Sequence, residues 1–186
     1  MLEPNALKKG VIFTYKGNPV QVIGFSHTHK GRGSAHVTTK IRDLITGNVE
    51  TKTFKAGEKV EEADLERRSA SFLYTEKEGI YFMDSTSFEE IRVQRETIEG
   101  KCLFLKEGAQ VMVIEFEGRP IDIDLPPKVE LSVAQTEPGV KGDTASGTVF
   151  KRAVLETGYE IDVPIFVKQG DAIRVNTETG EYVERV

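Results

Sequence analysis

The richest chemistry in this chain lies in Ser26-His27-Thr28-His29-Lys30-Gly31-Arg32-Gly33-Ser34-Ala35-His36. The stretch holds all three histidines of the sequence, two basic side chains, and two glycines that bracket Arg32. Glycine on both sides lets the backbone turn tightly, so the arginine is expected at a projecting tip, with Lys30, Gly31, Gly33 and Ser34 supporting it. A guanidinium offers a planar fork of donors that suits phosphate oxygens and RNA groups. An ordinary solvated loop that happens to be basic has the same composition, and composition alone leaves both readings open. The spacing of His27, His29 and His36 also permits a zinc site. Lys30 and Arg32 would repel a cation, and the loop has no cysteine or carboxylate, so no metal is expected there.

A second glycine-rich stretch runs from Gly139 to Thr148 and contains Lys141, Gly142, Asp143 and Thr144. No Gly-Lys-Ser/Thr follows, which excludes a P-loop by its own pattern. Taken by residues alone, it is a long inter-strand loop, structural or binding. The single cysteine, Cys102, lies in the apolar run Lys101-Cys102-Leu103-Phe104-Leu105. That run reads as a strand with the thiol in the core, since no Cys-His pattern supports a nucleophile. There is no Ser-His-Asp order, carboxylate pair or dinucleotide fingerprint. No catalytic residue and no cofactor are therefore expected.

The elements that must carry these loops are short strands. Val11–Tyr15 and Val20–Phe25 flank a Lys-Gly-Asn-Pro turn, and Ala35–Arg42 and Val49–Phe54 flank Leu44-Ile45-Thr46-Gly47-Asn48. Alternation broken by such turns predicts hairpins, and short strands at this density predict a small barrel. A second set is expected at 67–75, 79–84, 101–105, 110–116 and 119–125. Thr86–Glu90 and Gln94–Glu99 are the helical candidates, with Asp84 or Ser85 as a cap. Pro126-Pro127 cannot lie inside a central strand and marks a boundary. Beyond it, strands are expected at 128–135, 148–155, 159–164, 171–176 and 182–186. No strong internal repeat stands out. The pattern is all-β, with divisions at 1–64, 65–126 and 127–186.

Composition narrows the class. Hydrophobic residues are 38% and charged residues 30% of the 186, an ordinary globular balance rather than a disordered one. No apolar run reaches the roughly 20 residues a membrane helix needs. The first residues lack the apolar core of a signal peptide. One cysteine cannot form an internal disulfide, which fits a reducing cytoplasm. The net charge of −5 is unevenly spread: residues 1–57 carry 9 basic and 3 acidic side chains, whereas 65–126 carry 8 and 13. A basic head on an acidic body can touch RNA phosphate at one end without adhering along its length.

Several of these stretches resemble one family. His29-Lys30-Gly31-Arg32-Gly33-Ser34-Ala35 resembles the tip loop of elongation factor P. Leu44-Ile45-Thr46-Gly47 with Lys52-Thr53-Phe54-Lys55 is similar to that family's first domain, and Phe82-Met83-Asp84 with Phe88-Glu89 to its second. Pro138–Ala145 is similar to the characteristic loop of its third domain. The spaced pattern Lys151-x-Ala153, Gly158, Ile161-x-Val163-Pro164, Val167 and Gly170 matches the family signature at every fixed position.

The resemblance implies an SH3-like, KOW-type barrel (1–64) followed by two OB-fold barrels (65–126 and 127–186) in an L-shaped, tRNA-like arrangement. It implies a monomeric, non-enzymatic translation factor that binds the 70S ribosome, its rRNA and exit-site proteins, between the peptidyl and exit sites. There it would contact peptidyl-tRNA, prolyl-tRNA above all, and promote peptide-bond formation at polyproline stalls. Arg32 would be the tip residue and the modification site, rhamnosylated by a dedicated glycosyltransferase, with Lys30 the alternative. Lys141, Gly142, Asp143 and Thr144 would lie near the exit-site codon. The competing readings are an elongation-factor-P-like paralogue and a generic OB-fold RNA-binding protein, the latter needing stacking aromatics on a barrel face.

Overall fold

The computed structural model describes residues 1–28, 36–55, 57–137 and 149–186. It is all-β, with fifteen strands in three five-stranded sheets and one short α-helix among the described residues. No helix among the described residues is long and apolar enough to cross a membrane.

The first sheet has the order β4-β3-β2-β1-β5. Its strands are β1 (Ile12–Tyr15), β2 (Asn18–Thr28), β3 (His36–Asp43), β4 (Val49–Lys55) and β5 (Glu61–Glu62). Alternation decides which face is buried. In β3, Val37, Thr39 and Ile41 point inward and Lys40 outward. The core gathers Leu7, Phe13, Val20, Val22, Ile41, Phe54 and Val60, with Phe13 and Phe54 meeting edge to face at 5.9 Å.

The second sheet has the order β10-β9-β6-β7-β8. It comprises β6 (Leu65–Thr75), β7 (Gly79–Asp84), β8 (Glu90–Gln94), β9 (Gln110–Phe116) and β10 (Arg119–Asp124), with α1 (Arg95–Cys102) between β8 and β9. The third has the order β13-β12-β11-β14-β15: β11 (Lys128–Thr136), β12 (Phe150–Leu155), β13 (Glu160–Pro164), β14 (Ala172–Asn176) and β15 (Tyr182–Arg185). The chain forms two compact units, Met1–Arg67 with Ile114–Asp122, and Arg68–Val113 with Ile123–Val186. In the first unit, Ile114, Phe116 and Ile121 bury themselves with Leu44 and Ala63.

Two local expectations are corrected. Thr86–Glu90 is not a helix: its first residues form a turn and Glu90 opens β8. The Asp84 carboxylate accepts from the backbone N–H groups of Thr86 and Ser87 at 2.7 and 2.8 Å, closing a turn rather than capping a helix. Lys101–Leu105 is not a strand either, because α1 runs through Cys102. The short apolar run was ambiguous in period. Its residues serve two cores: Leu105 joins Ile80, Phe82 and Val113 of the middle barrel, while Phe104 enters the cluster of Leu131, Leu155 and Ile173 in the third. Cys102 is half-buried against the middle core, its Sγ 3.1 Å from the Ile98 carbonyl.

One feature escaped sequence reading altogether. The same six-residue turn closes a hairpin in each sheet: Asp43–Asn48, Asp84–Glu89 and Asn176–Glu181. In each, the first side chain accepts from the second and third following N–H groups, at 2.7–3.1 Å. The first carbonyl accepts from the fifth residue's N–H, and the first N–H donates to the sixth carbonyl. The hydroxyl of the fourth residue (Thr46, Ser87 or Thr179) accepts from the sixth N–H at 3.3–3.4 Å. The side chains are constrained only at the first and fourth positions, by an Asp/Asn acceptor and a hydroxyl, while the fifth needs a positive φ that glycine supplies in two of the three turns. The repeat is therefore nearly invisible in sequence.

Candidate functional site

The sheet that leads to the histidine-arginine loop is a long antiparallel hairpin. β2 and β3 pair from Val20↔Asp43 to Thr28↔His36, with one irregularity between Val22 and Gly24. Residues 29–35 connect the last pair. Arg32, Lys30, Gly31, Gly33 and Ser34 lie in that segment, outside the described residues, as does His29. The described hairpin shows how the loop is held at its base. β4 pairs with β3 along its whole length, from Arg42↔Val49 to His36↔Lys55, so the loop end is three strands wide. Among the described residues at that end, Lys55 is exposed and its backbone N–H donates to the exposed Glu58 carboxylate at 3.0 Å, and Thr38 and Thr53 share a hydrogen bond at 3.0 Å. The base of the loop is polar and carries both signs of charge.

The opposite end of the hairpin is fixed by Asp43. Its carboxylate receives Asn18 Nδ2 at 2.7 Å and the N–H groups of Ile45 and Thr46 at 2.8 Å each. Burial alone would push this carboxyl upward. The Asn18 and backbone hydrogen bonds outweigh it and hold the group below the usual carboxylate range. At the loop end, His36 Nδ1 is buried and makes no hydrogen bond with a described residue. Of the three histidines of the zinc alternative, His29 and the His27 side chain lie outside the described residues; no metal-binding cluster forms among those described.

The second candidate loop grows from β11 and β12. They pair up to Thr136↔Ala153, where Thr136 Oγ1 donates to the Arg152 carbonyl at 3.0 Å and Lys151 Nζ to the Glu137 carbonyl at 3.0 Å. Lys141, Gly142, Asp143 and Thr144 lie beyond this base, outside the described residues. Thus neither loop's tip is described, while both bases are ordered strand pairs.

Stacked aromatics do occur on the middle barrel. Tyr74 and Tyr81 pair across β6 and β7 with ring centroids 4.8 Å apart. They stack on each other, and the Tyr74 hydroxyl donates to Glu90 at 2.9 Å. Carboxylates around an aromatic pair disfavour a nucleic-acid backbone.

Comparison with known proteins agrees with this architecture. Residues 3–60 match the model of the elongation factor P KOW-like domain, 65–123 that of the elongation factor P OB domain, and 129–185 that of the elongation factor P C-terminal domain. The chain is 44% identical over 185 residues to "Elongation factor P" of Moorella thermoacetica, covering all of both chains. It is 46% identical, again over all of both chains, to "Elongation factor P" of Oleidesulfovibrio alaskensis. A solved structure of eukaryotic translation initiation factor 5A from Methanococcus jannaschii is similar over 67% of this chain and 90% of that one, at 21% identity and a TM-score of 0.48. The full-length identity and three consecutive domain matches place this chain in the elongation factor P family of translation elongation factors.

Proposed function

We propose that this protein binds the 70S ribosome between the peptidyl and exit sites and speeds peptide-bond formation at consecutive prolines. The observation that carries this reading is the β2–β3 hairpin. It is paired to its last residues and backed by β4, and it ends in a loop whose sequence centres on Arg32. In this reading, the barrels at 1–64, 65–126 and 127–186 form the body, and Arg32 touches the acceptor end of peptidyl-tRNA. Lys30, Gly31, Gly33 and Ser34 shape the loop, and Lys141, Gly142, Asp143 and Thr144 lie toward the small subunit. The factor works in the cytoplasm as a monomer and does no covalent chemistry of its own. Proline is a rigid, poor nucleophile. Holding the transfer RNA end in attack geometry acts through orientation, which contributes up to about 7–11 kcal/mol of barrier in ideal cases. A glycosyltransferase that rhamnosylates Arg32 would extend its reach.

The test is translation of a three-proline reporter in a reconstituted bacterial system. Protein purified from its native host is compared with Arg32→Ala. Rescue by the first and not the second is expected. Equal rescue by both would remove Arg32 from the mechanism. No rescue by ribosome-bound, host-modified protein would overturn the proline reading.

A further inference from the structure

The three equivalent turns share their hydrogen bonds, and their fifth residue sets one of them apart. The fifth residue is Gly47 in the first barrel and Gly180 in the third, both with φ of 74°. In the middle barrel it is Phe88, with φ of 59°. The hydrogen bonds of the turn demand this left-handed backbone, which glycine adopts freely and a residue with a Cβ adopts at a cost. Phe88 is not packed into the fold in return: it is 72% exposed, more than any other described large hydrophobic residue except Met1. A single exposed ring is ordinary on a surface, but a non-glycine residue held at positive φ without packing in return is a kind of strain that concentrates at functional sites.

The neighbouring charges select the partner. Glu89 and Glu90 follow directly and are both exposed. Arg68 lies against Asp84, 3.0 Å away, at the start of the same turn. Arg68 offsets Asp84, which leaves Glu89 and Glu90, the two residues that follow Phe88, as uncompensated charge at this turn; Glu89 accepts from the Ser87 hydroxyl and Glu90 from the Tyr74 hydroxyl, and both carboxylates would repel a phosphate backbone. They complement lysine and arginine. We propose that Phe88 is the anchor of a protein-docking site, inserting into an apolar socket rimmed by basic residues on a partner protein. This rests on the ribosomal reading above, and the partner sought is a basic protein of the ribosome.

The strain makes the proposal separable from a structural role. Phe88→Gly and Phe88→Asn both suit the left-handed conformation. If Phe88 serves binding, neither variant melts below the wild type, yet both lose about tenfold or more in affinity for purified 70S ribosomes. A photoreactive benzoylphenylalanine at position 88 then identifies what the ring touches on the same ribosomes. The expected adduct is a ribosomal protein. An adduct on ribosomal RNA, or unchanged affinity of both variants while the wild type binds, would overturn the docking site and leave the ribosomal reading intact. A melting point lowered in both variants with affinity unchanged would assign Phe88 to the fold. Failure of the wild type itself to bind would overturn the ribosomal reading, and this inference with it.

Discussion

Gly47→Ala and Gly180→Ala make the same chemical change in the same turn at the same φ of 74°, but in different surroundings. A Cβ on Gly47 meets nothing within 4 Å. Its cost is the left-handed backbone alone, about 1–2 kcal/mol. A Cβ on Gly180 would stand 2.2 Å from the Tyr159 hydroxyl and 3.3 Å from its Cζ, so the ring must move. The Tyr159 hydroxyl donates to the Gly180 carbonyl at 3.1 Å, and its ring lies 5.0 Å, centroid to centroid, from Phe104. Losing the hydrogen bond costs about 1 kcal/mol and disturbing the ring pair about 0.5–1.5. Gly180→Ala should therefore cost roughly 2.5–4.5 kcal/mol in all. Urea unfolding of both variants measures the difference directly. In a Tyr159→Phe background, where the clashing oxygen is gone, Gly180→Ala should fall to the ~1–2 kcal/mol of its backbone cost. Equal losses for Gly47→Ala and Gly180→Ala, or no change of the Gly180 effect on Tyr159→Phe, would refute the reasoning.

Other outcomes follow from the same contacts. Phe104→Ala removes a side chain only 7% exposed from the third barrel's core, and should cost about 3–5 kcal/mol by denaturant unfolding. Leu103→Ala next to it, 40% exposed, should cost under ~1 kcal/mol. The carboxyls of Asp43, Asp84 and Asp171 are all held below their ordinary value: Asp43 by Asn18 and turn N–H groups against burial, Asp84 chiefly by the Ser87 N–H, and Asp171 chiefly by the Lys168 N–H. Groups depressed in the folded state add stability above the unfolded value of 3.8, and that stability is lost as pH falls through the folded value. The melting temperature should therefore be flat from pH 7 to about 5 and fall below about 4, and an Asp43→Asn, Asp84→Asn variant should fall less steeply over that range. Asn176 already shows that an amide can close the turn.

The strand pattern was legible because side-chain alternation is a local property. β3 buries Val37, Thr39 and Ile41 and exposes Lys40, as its spelling suggests. What stayed hidden was decided by distant partners. Phe104 and Leu105 read as one strand, but adjacent side chains serve different cores, and only the assembled unit shows that. β8 was missed because Glu90-Ile91-Arg92-Val93-Gln94 follows directly on turn residues that spell a helix start. Asp84 before a hydroxyl-rich segment satisfies the rules for a helix cap and for this turn alike. The choice falls to the turn because the chain returns to pair Met83 with Glu90. At the candidate site, residue types named the loop, while the pairing that holds its base had to come from the structure.

The repeated turn connects these observations. In each barrel it closes a hairpin with the same set of side-chain and backbone bonds, so tightness there does not depend on the fifth residue's side chain. Two barrels use glycine at that position, the unstrained solution. The middle barrel keeps every bond of the turn and still places phenylalanine there, exposed to solvent. A substitution toward glycine would retain the fold and relieve the backbone, so stability does not account for the ring. A contact outside the chain does. At the β2–β3 hairpin the reverse holds: buried Val37 and Thr39 of β3, and Phe54 of β4 opposite Val37, carry packing to within one residue pair of Thr28↔His36, so the basic loop starts from a packed base.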